Sequence, residues 1–426
     1  MAFESTTETF GEANRVPSVR EAHLGREPIE CPQCGLLQIL PPPVSGHGRR
    51  CIRCGGSFGR WGVGGDTALA LAVTALILFL LAYLSPMMAI DIDGRGQSVR
   101  LGSGITGLVD HGYAPLALFV LGISILAPIG RVITLAYVVL RARQQKFVSH
   151  LSFVLRVAEL LRPWSMLDVF LVGALVALTK LHDLAQTNVG AGLWALGFLV
   201  ITLAAFEMAI DRQMLWDSLA WRRGDRQMPF PRPYSACGEC RLVQPVQGRC
   251  LRCSARLHRR KPNSLQNATA LVVAGFILYL PANLYPVLTV ISFGHRTTAT
   301  IMGGVMQLLD GSDWPLALIV FAASVAVPLL KLLGLSWLLL SARFGFHARL
   351  VGRTRLYRLI ELVSRWSTVD IFVAALLTAL VTLGNIATIE PGIGALAFGA
   401  VVIVTMLGAA CFDPRLMWDA AGANHV

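Results

Sequence analysis

Charged residues are scarce in this chain of 426 residues, since 15% are Asp, Glu, Lys or Arg and 54% are hydrophobic. A soluble domain usually carries about 25% charged residues, so the composition indicates a chain that lies in a bilayer. The first 28 residues lack an apolar run, which argues against a secretory signal peptide. The sequence also lacks a Gly-x-x-x-x-Gly-Lys-Ser/Thr stretch, so nothing in it predicts ATP hydrolysis, and we expect no enzymatic activity.

Basic residues are nearly missing from one set of loops, which carries only Arg95, Arg100, Arg296 and, near one end, Lys180. The opposite loops are rich in Lys and Arg: residues 141, 143, 146, 156 and 162 in one, residues 343, 349, 353, 355, 358 and 365 in another, and twelve between 212 and 261. The positive-inside rule places the basic loops in the cytoplasm. The basic residues that give the net charge of +12 are distributed among the loops on one side of the membrane and do not form one binding face. We therefore do not expect nucleic acid as a partner.

The chain contains an internal repeat with a nearly constant offset. Four residues recur 200 positions later, namely Asp110, Pro115, Pro128 and Arg131 as Asp310, Pro315, Pro328 and Lys331. Seven more recur 202 positions later, namely Glu159, Trp164, Ser165, Asp168, Asp211, Trp216 and Asp217 as Glu361, Trp366, Ser367, Asp370, Asp413, Trp418 and Asp419. The two halves are therefore tandem copies of one unit.

Each copy contains four apolar spans long enough to cross a membrane, because about 20 helical residues span the hydrocarbon core. The spans are 67–90, 113–140, 165–185 and 191–210, then 267–291, 314–341, 367–389 and 391–410. An even number of spans makes the copies parallel and leaves both termini on the cytoplasmic side. We expect Trp216 and Trp418, which follow the last span of each copy, to be interfacial anchors.

The predicted fold is an all-α polytopic membrane protein with eight transmembrane helices and two small cytoplasmic zinc ribbons. The predicted segments are a disordered tail (1–28), zinc ribbon 1 (29–60), transmembrane unit 1 (61–212), a linker with zinc ribbon 2 (213–262), transmembrane unit 2 (263–413) and a C-terminal tail (414–426). After the first span of each copy, at 90–101 and 289–301, the hydrophobic pattern alternates around a glycine. This alternation predicts a short β-hairpin on the far side of the membrane.

Eight of the nine cysteines form four Cys-x-x-Cys pairs. They predict two metal sites, Cys31, Cys34, Cys51 and Cys54 in one, and Cys237, Cys240, Cys250 and Cys253 in the other. Two facing knuckles complete a tetrahedral four-sulfur site that suits Zn²⁺, with iron as the alternative. A site filled by four thiolates has no open position for water, so a structural role is preferred, and His47 and His258 are surplus. Thiol redox chemistry and vestigial pairs are the other readings of this pattern.

Ionisable and hydroxyl residues inside the apolar spans of the second copy predict a polar cluster of Ser324, Lys331, Ser367, Asp370 and Thr405. Such a Lys–Asp pair could relay a proton during transport. It could equally lock helix packing, or Asp370 could cap its own helix. The first copy offers Ser124, Arg131, Ser165 and Asp168, but arginine does not deprotonate in proteins, so a fixed ion pair is the better reading there.

These motifs resemble the paraquat-inducible protein A family, which includes PqiA and LetA, of Gram-negative inner membranes. The resemblance covers nearly the whole chain after residue 28 and rests on the doubled Cys-x-x-Cys pairs and on four segments: Tyr83-Leu84-Ser85-Pro86, Asn283-Leu284-Tyr285-Pro286, Arg162-Pro163-Trp164-Ser165-Met166-Leu167-Asp168 and Arg365-Trp366-Ser367-Thr368-Val369-Asp370. The long linker between Cys34 and Cys51, which contains residues 41–43 as three prolines, departs from the family's pattern.

The resemblance implies tetraspanin-like four-helix units and a partner, an MCE-domain protein that forms a periplasmic tunnel. It also implies a proton-driven role in loading or removing phospholipid, and the family's polar cluster matches the five residues of the second copy. Two further hypotheses stay open from the sequence: a membrane scaffold that anchors the tunnel without moving lipid, and a zinc or redox sensor.

Overall fold

The computed structural model describes residues 28–39, 49–58, 65–92, 95–144, 150–182, 186–213, 215–216, 234–246, 248–292, 295–310, 314–380 and 387–422. The predicted N-terminal tail lies outside the described residues except for residue 28, and so do His47 and the three prolines of the first ribbon's linker.

Residues 65–211 form the first helical unit. Its helices are α1 (Gly65–Leu84), α2 (Ser103–Asp110), α3 (Ala114–Leu121), α4 (Ala127–Arg143), α5 (Leu151–Leu161), α6 (Leu167–His182) and α7 (Ala191–Ala209). A five-residue π-helix, Gly122–Leu126, joins α3 to α4 without a break. The helices form because long runs of Leu, Ala, Val and Ile leave their backbone groups no partner in lipid other than their own helix.

Residues 264–420 form the second unit in the same order. Its helices are α8 (Ser264–Leu284), α9 (Ile301–Asp310), α10 (Trp314–Phe321), α11 (Val327–Arg343), α12 (Leu350–Trp366), α13 (Val369–Leu380), α14 (Ile393–Cys411) and α15 (Arg415–Ala420). A π-helix, Ala322–Ala326, again precedes the fourth helix of the repeat. The prediction of a C-terminal tail from 414 differs from the structure, because α15 buries Met417 and Trp418.

Seven helices among the described residues are long and apolar enough to cross a membrane. They are Gly65–Leu84, Ala114–Arg143, Leu151–Leu178, Ala191–Ala209, Ser264–Leu284, Ala322–Arg343 and Ile393–Cys411. The predicted span 367–389 is described as a helix only over Val369–Leu380. The predicted spans 67–90 and 267–291 were too long, because Pro86 and Pro286 end each helix and the chain continues as a strand.

The structure confirms both β-hairpins. Strand β3 (Met88–Ile92) pairs antiparallel with β4 (Arg95–Val99), and β8 (Leu288–Ser292) pairs with β9 (His295–Ala299). Each hairpin gains a third strand that the sequence analysis missed, from Gln186–Val189 (β5) and Ala387–Pro391 (β10). Gly190 and Gly392 directly follow these strands. A Cβ atom at either position would lie 2.1 Å from a proline carbonyl oxygen. The sheets define one end of the molecule, here called the sheet side.

The two units pack against each other through equivalent helices. Phe170 of α6 and Phe372 of α13, which are 202 positions apart, meet edge to face with ring centroids 5.0 Å apart. Gly173 gives Phe372 this room, because a Cβ there would lie 2.9 Å from the Phe372 Cβ. The contact buries residues of both units in one hydrophobic core. The two copies therefore form a single body rather than two separate bundles.

The cysteine ribbons lie at the end opposite the sheets, here called the ribbon side, and their contacts cross between the units. Ribbon 1 (residues 28–39 and 49–58) packs on the second unit, where its four cysteines share a hydrophobic cluster with Trp418. Ribbon 2 (residues 234–246 and 248–258) packs on the first unit, in a cluster with Phe206 and Trp216. Each ribbon thus precedes one unit in the chain and contacts the other. The two tryptophans are 3% and 4% exposed, so the prediction that they are interfacial anchors was wrong.

Candidate functional site

The two groups of four cysteines converge as the sequence predicts. Cys31, Cys34, Cys51 and Cys54 form one group, and Cys237, Cys240, Cys250 and Cys253 form the other; in each, all four sulfurs lie within 4.8 Å of one another. The closest sulfur pairs are 3.6 Å apart in ribbon 1 and 3.5 Å apart in ribbon 2. Tetrahedral Zn–S bonds of about 2.3 Å would place the sulfurs about 3.8 Å apart, so the geometry fits a bound ion. Both buried clusters can therefore bind a metal ion such as zinc.

The knuckle turns explain why the cysteines converge. In ribbon 1, the backbone N–H of Gly35 donates to the carbonyl oxygen of Cys31, and that of Gly55 donates to Cys51, at 2.9 Å each. Both glycines have positive φ angles, near 70°, which a residue without a Cβ adopts without strain. Ribbon 2 makes the same turns with Arg241 and Ser254 at φ near 60°. Its cluster consists of four cysteines without His258, as the sequence predicts.

An arginine of the second unit contacts the sulfur cluster of ribbon 1. The Arg358 guanidinium donates to the carbonyl oxygen of Cys54 at 2.7 Å and lies 3.3 Å from its Sγ. It also donates to the side-chain oxygen of Gln33 at 2.6 Å. A donor beside a thiolate orients the ligand and stabilises its charge. The sequence analysis missed this residue, because nothing in the cysteine spacing shows that ribbon 1 lies against α12.

In the second unit, three of the five predicted polar residues lie together, namely Lys331, Ser367 and Thr405. Lys331 is 2% exposed. Its Nζ donates to the hydroxyl oxygen of Thr405 at 3.0 Å and to that of Ser367 at 3.4 Å. Thr405 in turn donates to the carbonyl oxygen of Val402. We call these three residues the lysine cluster. The backbone of Asp370 lies in the first turn of α13, three residues beyond Ser367, and its side chain lies outside the described residues.

Ser324 lies in the π-helix that precedes α11 and is 3% exposed. A π-turn displaces the regular i−4 hydrogen bonds and is frequent at functional sites. Here the hydroxyl of Tyr279, from α8, donates to the carbonyl oxygen of Val325 at 3.2 Å. The irregularity faces an apolar cavity of about 130 Å³ that Ser324 lines together with residues of the sheet, α13 and α14.

The predicted polar residues of the first unit form a different arrangement. Arg131 binds Glu207 of α7, with a shortest N–O distance of 2.6 Å, rather than Asp168. Asp168 instead pairs with Arg365 of the second unit at 3.3 Å, and the same guanidinium donates to the carbonyl oxygen of Ser165 at 2.9 Å.

Ser124 lies in the first unit's π-helix, and its hydroxyl donates to the carbonyl oxygen of Val120 at 2.6 Å. Arg131 forms an ion pair, but its partner is Glu207 and not the predicted Asp168. The sequence analysis overlooked Glu207, although an ionisable residue inside an apolar run is the signal it used elsewhere.

A cavity of about 310 Å³ lies among these charged groups. Its charged lining residues are Arg131, Arg162, Asp168, Glu207 and Arg365. We call it the arginine cavity. The equivalent positions of the second unit hold Lys331, Ser364 and Ala409, so Arg162 and Glu207 have no charged counterpart there.

Taken together, the fold and sites define a membrane protein with two tandem helical units, two four-cysteine clusters and a buried cationic side chain in its second unit. The model of the family described as paraquat-inducible protein A matches residues 66–220 and 265–422. The chain belongs to that family.

Curated relatives cover almost the whole chain. The protein is 36% identical to "Intermembrane transport protein PqiA" of Escherichia coli K12 over 94% of this chain and 97% of the relative. It is 34% identical to "Lipophilic envelope-spanning tunnel protein A" of the same strain over 92% of this chain and 91% of the relative. A "Probable intermembrane transport protein" of Haemophilus influenzae is 27% identical over 92% of this chain and 95% of the relative. No solved structure gave a significant match.

Proposed function

We propose that this protein is an inner-membrane transport subunit that passes phospholipid to or from a periplasmic MCE-domain tunnel and is driven by protons. The names of two relatives, an intermembrane transport protein and an envelope-spanning tunnel protein, support the transport role. The proposed topology has eight spans in two tetraspanin-like units, with residues 367–389 as the seventh span. The ribbons and termini lie in the cytoplasm, and each cysteine cluster holds a structural Zn²⁺.

The observation that carries the proposal is the burial of Lys331. A lysine that is 2% exposed among apolar helices is expensive to keep charged, and hydroxyl groups stabilise the charge less than a carboxylate does. Its described contacts are the hydroxyls of Thr405 and Ser367. A lysine in such surroundings can lose and regain a proton, which an arginine cannot. In the proposed relay, Asp370 exchanges that proton with Lys331.

The neighbouring apolar cavity supports a lipid rather than a polar substrate. It measures about 130 Å³, and Leu116 of the first unit contributes to its wall. The remaining wall comes from the second unit's sheet, α9, α13 and α14, with Ser324 and Thr300 as its hydroxyl-bearing residues. In the proposed mechanism, a change in the protonation of Lys331 alters the packing of α11 against α14, and this change opens the cavity to an acyl chain.

A reconstituted system tests this function. The full chain is placed in vesicles with a fluorescent phospholipid, and transfer to an acceptor tunnel protein or acceptor vesicles is followed with and without a pH gradient. We expect gradient-dependent transfer that Lys331→Met and Asp370→Asn abolish. Ser336→Ala is the matched control, because Ser336 lies on the same helix as Lys331 but bonds only to the carbonyl oxygen of Leu332 among its described contacts.

The outcomes separate the remaining hypotheses. Full transfer by both variants would overturn the proton relay. Transfer that is absent from the wild-type protein, combined with stable binding of the tunnel protein, would favour the scaffold. Cysteines that change oxidation state in cells would favour the sensor, whereas one retained metal ion per ribbon supports structural zinc.

A further inference from the structure

The arginine cavity contains a buried cation whose hydrogen-bonding capacity is not filled. The side chain of Arg131 is 8% exposed, and its terminal nitrogen binds Glu207 at 2.6 Å. Its Nε is buried and has no hydrogen-bond partner among the described residues. An unsatisfied buried donor destabilises the folded state, so native structures seldom leave one without reason.

Two further guanidinium groups line the same cavity. Arg365 uses one terminal nitrogen for Ser165 and Asp168, but its Nε is also buried without an acceptor among the described residues. Arg162 forms no ion pair with any residue that the structure describes. With Asp168 and Glu207 as the lining carboxylates, the cavity has three positive and two negative charges. Both buried donors and net charge therefore favour an anion.

The cavity lies in the ribbon-side half of the helices that line it. Arg131 lies 17 residues into the span that begins at Ala114, which is about 26 Å at 1.5 Å per residue. Glu207 lies 16 residues into the span that begins at Ala191, about 24 Å. Counted from the sheet-side ends of these helices, both side chains lie beyond the midpoint of a hydrocarbon core about 30 Å thick, towards the ribbon side. The cavity volume of about 310 Å³ is at the lower end of the range of ligand pockets.

We propose that the arginine cavity binds the phosphodiester group of a membrane phospholipid from the leaflet on the ribbon side. Guanidinium groups match phosphate oxygens because several N–H donors lie in one plane, and basic pockets between transmembrane helices bind anionic head groups in this way. The guanidinium groups of Arg131, Arg162 and Arg365, which line the cavity, supply the donors. This inference rests on the proposed function, because it assigns the site at which the transported lipid first binds.

The cavity belongs to the first unit, but one of its residues connects it to the second. Arg365 is the next-to-last residue of α12 and precedes Ser367 of the lysine cluster by two positions. A phosphate that draws Arg365 away from Asp168 therefore moves the backbone that holds Ser367. Head-group binding in one unit can in this way bias the polar cluster of the other.

The test measures binding without transport. The full chain is purified in detergent and titrated with phosphatidylglycerol, with diacylglycerol of the same acyl chains, and with inorganic phosphate, and bound molecules are counted by native mass spectrometry. We expect phosphatidylglycerol to bind at least tenfold more tightly than diacylglycerol. Arg162→Gln should weaken this binding about tenfold, and Arg131→Gln should weaken it further. Arg141→Gln, on the same helix as Arg131 but outside the cavity, is the control.

Each outcome is decisive. Equal binding of diacylglycerol, or unchanged binding by Arg162→Gln, overturns the inference. Inorganic phosphate that binds as tightly as the lipid and loses affinity in Arg162→Gln, while lipid binding does not change, assigns the cavity to a soluble anion instead. Arg162→Gln leaves the Arg131–Glu207 pair in place, so it decides the question even if Arg131→Gln fails to fold. Binding is measured on the wild-type protein without a pH gradient or an acceptor, so a failed transport mechanism with intact head-group binding would be distinguishable from a failed binding site.

Discussion

The same four-helix pattern carries two different polar sites in its two copies. In the first unit, Arg131 pairs with Glu207 beside a cavity of about 310 Å³ that contains further charged groups. In the second, the equivalent positions hold Lys331 and Ala409, and the lysine contacts hydroxyls inside a closed core. The first site combines the Arg131–Glu207 pair with buried guanidinium nitrogens that have no acceptor among the described residues. The second keeps one ionisable group nearly isolated from water.

The difference lies in a small number of side chains at equivalent positions of the two units. Losing the carboxylate at position 409 removes the counter-charge, and replacing arginine by lysine makes the remaining cation able to deprotonate. The π-helix before each of these residues is retained in both units. The backbone framework is therefore common, and a small number of side chains determines which charged and polar contacts each site makes.

The largest effect is expected from substitutions that break the contacts between each ribbon and the unit on which it packs. Structural Zn²⁺ contributes about 10–16 kcal/mol to small domains, so Cys34→Ser should release the ion and unfold ribbon 1. Because ribbon 1 packs on Trp418, we expect faster hydrogen exchange in α12 and α15 of the second unit. Cys240→Ser should instead raise exchange in α5 and the end of α7, in the first unit.

Cys411→Ser is the control for both variants, because this cysteine belongs to neither cluster. Hydrogen–deuterium exchange with mass spectrometry reads each helix separately. An increase confined to the unit that follows each ribbon in the chain would contradict the crossed arrangement.

A smaller effect is expected from substitutions that remove a partner of Arg131, which has a carboxylate beside it, or of Lys331, which contacts hydroxyls. Glu207→Gln leaves the buried Arg131 without its counter-charge, and we expect a loss of about 2–3 kcal/mol of unfolding free energy, since Glu207 is itself partly exposed. Thr405→Val removes one acceptor from Lys331, which keeps the Ser367 hydroxyl, so about 1 kcal/mol is expected.

Denaturant unfolding in detergent, with helix loss followed by circular dichroism, measures both variants. Thr202→Val is the control, because that exposed hydroxyl donates only to its own helix among its described contacts. If Thr405→Val and Glu207→Gln lose equal unfolding free energy, Lys331 depends on its hydroxyl partners as strongly as Arg131 depends on its carboxylate. That result would contradict the contrast.

A third prediction compares two arginines at equivalent positions of the two units, Arg358 and Arg156. Arg358 lies 3.3 Å from the Cys54 sulfur, so Arg358→Ala should lower the metal affinity of ribbon 1 by about 10–100-fold. Arg156, the equivalent residue 202 positions earlier, donates to the carbonyl oxygen of Ser152 and not to a described sulfur. Arg156→Ala should therefore change the affinity of ribbon 2 less.

Chelator-driven metal release, followed by alkylation of the exposed cysteines and peptide mapping, assigns the loss to one ribbon or the other. Equal sensitivity of the two ribbons to their arginine substitutions would show that the sulfur contact of Arg358 has no special effect on the metal.

Sequence reasoning succeeded where the physical signal is local. The Cys-x-x-Cys spacing brings four sulfurs together by the geometry of two tight turns, and the two-residue alternation after Pro86 and Pro286 specifies a hairpin. The polar residues inside the apolar spans also predicted that Lys331, Ser367 and Thr405 lie together, and the hydroxyl contacts of Lys331 agree with this part of the cluster.

The failures concern contacts between distant parts of the chain. Neither the burial of Trp216 and Trp418 nor the pairing of Asp168 with Arg365 can be derived from periodicity, since each depends on how the units and ribbons dock. The third sheet strands were missed for a related reason. Residues such as Gln186–Val189 follow a membrane span too closely to display an alternating pattern of their own.

The smallest expected effect is a difference in acid sensitivity at the ribbon-side ends of the two units. Burial by itself raises the pKa of Asp413, but hydrogen bonds and charge from Arg415 outweigh it, and the pKa lies below its ordinary value. Asp413 also accepts a hydrogen bond from the backbone N–H of Lys261, which ties the start of α8 to the end of α14. Its counterpart Asp211 makes a longer ion pair, 3.7 Å from Arg49.

Because the folded-state pKa of Asp413 is depressed, its contribution to stability is present above the unfolded value of about 3.9 and is lost as pH falls through the lower folded value. Hydrogen exchange at the start of α8 should therefore rise below about pH 4 in the wild-type protein. Asp413→Asn should raise exchange there at neutral pH and remove most of the further change on acidification. Asp211→Asn, in the first unit, should leave the exchange of α8 unchanged at every pH. An acid response that persists in Asp413→Asn would place the titrating group elsewhere and would remove this distinction between the two units.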